Sequence, residues 1–286
     1  MSDEKARVDE ATGTETTGHS WDGIEELNTP LPRWWLYTFY ACIVFSIGYA
    51  LYYPAWPGST TGMGGTTLRS LVAEDIAEHA EGQAEWRSKI ATASLEEIRQ
   101  DSALLTFATS AGKAAFGVNC SQCHGAGAQG FVGYPNLNDD AWLWGGSLDD
   151  IYHTIKHGVR NEDAEDARYS EMPAFGEILS KDEITGVANH VMALGALEHD
   201  ETAAAQGAEI YSDKCAACHG DTGAGDPAMG APRLNDALWL FGGDYAHISA
   251  QIRQPAHGVM PAWGLRLDDT TVKALTLYVH GLGGGS

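Results

Sequence analysis

Two pentapeptides carry the chemistry of this sequence: Cys120-Ser121-Gln122-Cys123-His124 and Cys215-Ala216-Ala217-Cys218-His219. Each has the C-x-x-C-H spacing of a covalent haem site. The two thiols form thioethers with the two vinyl groups of one haem, and the adjacent histidine lies on the iron as its proximal ligand. Two other readings of C-x-x-C fail on spacing and context. A zinc site built from both pairs wants roughly 15–20 residues between them, whereas Cys123 and Cys215 are 92 positions apart. A dithiol redox motif wants a βαβ pattern around it, and no such alternation is present. The expectation is two covalently bound haem c groups, on Cys120 and Cys123 and on Cys215 and Cys218, with His124 and His219 as axial ligands.

A six-coordinate electron-transfer haem needs a ligand opposite each histidine, and a thioether there raises the potential. Met172 is the candidate of the first copy, on a Met-Pro loop between haem motif and final helix; His153 and His157, four apart on a predicted helix, are its rivals and read as an ordinary helix surface. Met192 falls on an apolar helical position and reads as core. In the second copy Met260 repeats the Met-Pro-Ala-aromatic-Gly context of Met172. Met229, 11 residues past Cys218 on a Gly-rich loop, has no counterpart in the first copy, and His257 has none before Met172. We assign His/Met ligation to both haems, with Met172 and Met260 as the iron ligands. Trp142, Trp144 and Trp239 read equally well as haem-packing or plain core aromatics.

These residues recur in the same order twice, so an internal duplication organises the second half of the chain. The segment 111–116 before the first motif echoes 206–211 before the second. Residues 136–146 (NLNDDAWLWGG) match 233–243 (RLNDALWLFGG), and MPAFG at 172–176 matches MPAWG at 260–264. Each copy ends in an amphipathic helix, predicted over 181–194 and 269–281, the first with Ser180 and Glu183 as a capping box. Each copy has fewer than about 100 residues, small for a free-standing core, and a covalently held apolar macrocycle would supply the missing packing surface.

Ahead of the repeat, residues 34–53 (WWLYTFYACIVFSIGYALYY) run without a charge for 20 residues, enough to span a bilayer. Trp34, Trp35 and Tyr37 at one end and Tyr52, Tyr53 and Trp56 at the other form the aromatic belts of a transmembrane helix. Pro30, Pro32, Pro54 and Pro57 mark its ends. Cys42 lies within the span as a small hydrophobe. A cleaved signal peptide would need a basic N-terminal region and a small-residue cleavage site, and neither is present. The basic residues Arg33 and Arg69 orient the span weakly. Covalent haem attachment in bacteria belongs to the export compartment, which places the haem domains in the periplasm and the N-terminus in the cytoplasm. Residues 1–19 read as a disordered polar tail, 20–27 as a short interfacial helix capped by Ser20, and 58–66 as a flexible linker. A charged helical stretch follows over 68–99, with a capping box at Ser94 and Glu97.

The 286 residues allow about two domains, and the formal charge of −22 excludes nucleic acid as a partner. Such an acidic surface steers basic proteins or simply keeps the chain soluble.

The segment His19–Trp35 (HSWDGIEELNTPLPRWW) and the exit YPAWP at 53–57 resemble the sequences flanking the membrane helix in the dihaem subunit III of cbb3-type cytochrome c oxidases. With the two haem motifs, the resemblance spans residues 19–283. It implies a mainly α chain: cytoplasmic segment 1–33, transmembrane helix 34–53, tether 54–102, then tandem class I cytochrome c domains over 103–199 and 200–286. It pairs His124 with Met172 and His219 with Met260. It further implies a single-pass protein of the bacterial inner membrane, in contact with lipid. Electrons from a donor cytochrome c would pass through these haems, then a monohaem subunit, to the catalytic haem–copper subunit that reduces O₂. Two rivals are a stand-alone anchored dihaem carrier, which leaves the His19–Trp35 signature unexplained, and a haem enzyme or gas sensor, which needs an open iron.

Overall fold

The computed structural model describes residues 6–53 and 62–283, and the chain divides into two compact units between Gly82 and Gln83. The Pro54–Pro57 exit with Trp56, residues 58–61 of the predicted linker and the final residues 284–286 lie outside the described residues.

The first unit corrects two expectations. Strands β1 (Thr16–Trp21) and β2 (Ile24–Leu27) pair antiparallel, with Trp21 opposite Ile24, where the sequence suggested a disordered tail and a short helix. The reason is Asp22-Gly23: both residues have positive φ, 51° and 83°, the geometry of a two-residue type I′ hairpin turn. Upstream, Asp9 accepts from the Thr12 amide and hydroxyl and closes a further turn. Helix α1 (Arg33–Tyr52) follows Pro32, whose fixed φ and missing N–H suit a helix start. None of its residues is buried in protein. Its apolar side chains, Cys42 included, stand exposed over a length that matches a hydrocarbon core.

Helix α2 (Leu68–Thr92) leads into the second unit, followed by α3 (Leu95–Gln100), α4 (Ser102–Asn119), the single turn α5 (Ser121–His124), α6 (Leu148–His157) and α7 (Lys181–Leu194). Then come α8 (Glu201–Lys214), the single turn α9 (Ala216–His219), α10 (Tyr245–Arg253) and α11 (Asp269–His280). One-turn 3₁₀ segments at Phe175–Glu177 and Trp263–Leu265 follow the two Met-Pro loops. The capping boxes at Ser94/Glu97 and Ser180/Glu183 form as read from the sequence.

The helices are tandem along the chain but exchanged in space. Helix α11, the last of the second copy, packs on α4 and α6 of the first; α7, the last of the first copy, packs on α8 and α10 of the second. Phe116, Ile151 and Ile155 therefore share a core with Val272, Leu275 and Val279. Tyr211, Ile248 and Ile252 share theirs with Ile184, Val187 and Val191. The tether extends the first core: Ile90, Leu95 and Ile98 pack with Leu104, Ala108 and Leu277.

Candidate functional site

Each haem motif sits where a long helix breaks. Helix α4 ends at Cys120 and α8 at Cys215; a single helical turn then carries the second cysteine and the histidine, stopped by Gly125 or Gly220 at φ 83° or 76°. Burial pushes the Cys120 and Cys215 thiols up to about 11, helped by the neighbouring Cys123 or Cys218. Thiols this weakly acidic are poor redox dithiols. Burial also holds the His124 and His219 imidazoles below their ordinary pKa, hence neutral.

The two histidines are oriented alike. His124 Nδ1 lies 3.0 Å from the Pro135 carbonyl, and His219 Nδ1 lies 3.0 Å from the Pro232 carbonyl. A carbonyl only accepts, so the proton is on Nδ1 and the Nε2 lone pair is left for a metal. Pro135 and Pro232 stand just before the matching 136–146 and 233–243 segments; the signal lay one residue upstream of the repeat as read.

The methionines cross over. Met172 packs against the core of Tyr211, which Cys215 and Ala216 also border, and Met260 against the core of Phe116, which Cys120 also borders. Main-chain hydrogen bonds of 3.0 Å in both directions between Val159 and Met260 lock the second loop beside the end of α6. The crossing repeats around the pseudo-symmetry: Gly264 abuts Lys156 of α6, and Gly176 abuts the equivalent Arg253 of α10. Sequence order paired Met172 with His124 and Met260 with His219; the exchange of α7 and α11 carries each Met-Pro loop to the other copy's motif. Met229 is 44% exposed and joins neither cluster. Met192 is core, as expected. His153 and His157 lie side by side on α6 with ring centroids 4.6 Å apart and planes tilted by 38°.

A profile for the N-terminal domain of cytochrome oxidase-cbb3, FixP, matches residues 13–60, and one for cytochrome c oxidase, cbb3-type, subunit III matches 107–191 and 202–279. The chain belongs to the cbb3-type subunit III family. It is 50% identical over 275 residues to the Cbb3-type cytochrome c oxidase subunit CcoP of Cereibacter sphaeroides, covering 94% of this chain and 95% of the relative. It is 52% identical over 284 residues to subunit FixP of Azorhizobium caulinodans, 98% and 97% covered, and 49% identical over 288 residues to FixP of Rhizobium meliloti, fully covered on both sides.

Subunit III membership implies haem c, and this chain's residues fit it. Beyond the free thiols and the oriented histidines, four buried donor or acceptor atoms have no hydrogen-bond partner among the described residues: Trp144 Nε1, Trp239 Nε1, Arg168 Nε and His153 Nδ1. Orphaned buried polar atoms are costly, and haem propionates are acidic groups of the kind that satisfy indole and guanidinium donors. Trp142 and Trp239, both half-buried, border the same clusters that Cys120 and Cys215 border. Trp144 instead reaches Gly230 of the second copy, and Phe241 reaches Gly133 of the first. Arg168 stacks over Trp144 at 5.5 Å and pairs with Asp150 at 2.9 Å. Sequence reading passed over Arg160 and Arg168, since isolated arginines on a loop carry no motif.

Proposed function

We propose that this chain is the membrane-anchored dihaem electron-transfer subunit of a cbb3-type cytochrome c oxidase, with one haem c on Cys120 and Cys123 and a second on Cys215 and Cys218. His124 and Met260 serve one iron, His219 and Met172 the other. The observation that carries this reading is the joint one: two carbonyl-oriented histidines, each in the neighbourhood of one Met-Pro loop. The haem supplies reversible one-electron chemistry when bound.

The residues do the rest. The Pro135 and Pro232 carbonyls hold the imidazoles in one tautomer, the apolar cores exclude water, and a histidine–methionine ligand pair would leave the iron no open position for a diatomic ligand. That arrangement suits outer-sphere transfer and disfavours the enzyme or gas-sensor reading. The hydrophobic length of α1 supports a single span of the bacterial inner membrane, with residues 1–33 in the cytoplasm and the haem-bearing unit in the periplasm. Donor cytochrome c on one side, and a monohaem subunit with the haem–copper catalytic subunit on the other, are the partners this role requires.

Mild-detergent purification followed by haem staining and intact mass spectrometry tests the proposal. The expected result is a chain carrying the mass of two haems, copurifying with a polytopic haem–copper subunit and a monohaem cytochrome. A chain with one haem or none, or isolated alone, contradicts it.

A further inference from the structure

The pseudo-symmetry of the two copies breaks at one place. Fourteen residues separate the end of α6 at His157 from Met172, but only six separate the end of α10 at Arg253 from Met260. The longer connection contains Arg160, which has no counterpart in the second copy. Its guanidinium reaches both methionine loops: Nε donates to the Gly258 carbonyl at 2.7 Å, and Nη1 donates to the Ser170 carbonyl at 2.9 Å. Gly258 stands two residues before Met260, and Ser170 two residues before Met172.

The backbone around Arg160 is held on both sides. Its N–H donates to the Arg168 carbonyl at 2.8 Å, and Val159 next to it is bonded both ways to Met260. Arg160 has φ 51°, a left-handed conformation uncommon for a residue with a β-carbon and kept where the surroundings over-determine it. A second tie runs the other way: the Met172 N–H donates to His257 Nε2 at 3.1 Å, so a residue of the Met260 loop holds the Met172 main chain. The two loops are thus bound to one another through one arginine and one histidine.

We propose that Arg160 is a positioning residue shared by both sixth ligands, setting the Met172 loop and the Met260 loop with a single rigid fork. The inference rests on the crossed His/Met ligation proposed above. Its consequence is coupling: a disturbance of Arg160 is felt at both irons, and the two haem sites behave as one unit. Lysine cannot substitute, because an ammonium on a flexible stem lacks the planar fork that spans two fixed carbonyls.

The test uses Arg160→Gln and Arg160→Lys in the intact, haem-loaded complex. The readout is the far-red absorption band by which methionine sulfur bound to ferric haem is recognised. With both sites contributing, Arg160→Gln is expected to lose more than half of the band while haem staining stays at the wild-type level. Arg160→Lys is expected to lose band as well, and it decides the matter if the glutamine variant fails to assemble. Amide exchange adds a readout independent of the haems: peptides covering 169–176 and 257–264 should both exchange faster. A glutamine variant that keeps half of the band or more, a lysine variant equal to wild type, or faster exchange in one peptide only overturns the shared role. Absence of the band from the unaltered complex overturns instead the ligand assignment beneath it.

Discussion

Gly112 of α4 lies so close to the main chain of α11 that a β-carbon there would collide with the Ala274 carbonyl. Gly207 of α8 stands in the same relation to the main chain of α7 at Gly186. The helices that cross this closely come from opposite copies, and so the two glycines record the exchange that brings each methionine loop to the other copy's haem motif.

Adding a methyl group at Gly112 tests that approach. The obstacle is backbone, which no rotamer change relieves, and such overpacking costs about 1–3 kcal/mol. Gly112→Ala should lower the unfolding midpoint of the detergent-solubilised protein accordingly. Gly117, on the same helix with nothing within 4 Å of its β-position, is the control, and Gly117→Ala should stabilise by about 0.5–1 kcal/mol. Equal midpoints for the Gly112 variant and the wild type would mean that α4 and α11 do not cross as described.

Lys273 fastens the C-terminal end of α2 to α11 within the second unit. Its side chain is 15% exposed, and Nζ donates to the carbonyls of Ile90, Ala91 and Ala93 at 3.2, 3.1 and 2.8 Å. These are the orphan acceptors at the C-terminus of α2, where a cation also meets the helix dipole. Lys273→Met removes the donors and leaves the carbonyls short of partners, at a cost of about 1–3 kcal/mol. Hydrogen exchange over residues 88–94 should accelerate first, ahead of the α7 and α8 core. Unchanged protection there would show that Lys273 does not hold this end.

Asp269 gives the structure an acid-sensitive joint. It begins α11 and accepts from the Tyr152 hydroxyl and from Lys156 of α6, the latter at 3.1 Å. The Tyr152 hydrogen bond, followed by Lys156, holds the Asp269 carboxyl below its ordinary range despite some desolvation. A depressed carboxylate contributes stability that is complete above the unfolded-state value, about 3.9, and is lost as pH falls through the lower folded-state value. Asp269→Asn should therefore flatten the acid arm of a midpoint-versus-pH profile below about pH 4 and leave its slope near neutrality unaltered. Because the carboxylate is half exposed, the effect is modest. An acid arm identical to wild type would contradict the assignment.

What the sequence made legible was local or carried by residue type. The caps at Ser94 and Ser180 are satisfied within four residues, the span of α1 follows from a long run of uncharged, mostly apolar residues, and the eight residues proposed to hold the haems stand out by chemistry and spacing. The Asp22-Gly23 turn was equally local but lay hidden under a helix-cap reading of Ser20. The crossing was not legible, for a physical reason. Both copies place a glycine at the helix contact, Gly112 and Gly207, and both end in an amphipathic helix with the same apolar spacing, so either pairing of α4 and α8 with α7 and α11 satisfies the pattern. Only tertiary packing selects between them. Arg160 escaped for a related reason, since its role exists only once the two methionine loops lie side by side.

The most direct measurement is an experimental structure of the haem-loaded complex at a resolution that separates the axial ligands. The sulfur of Met260 is predicted on the iron of the haem bound to Cys120 and Cys123, and the sulfur of Met172 on the iron of the haem bound to Cys215 and Cys218. Met172 found opposite His124, and Met260 opposite His219, would contradict the account.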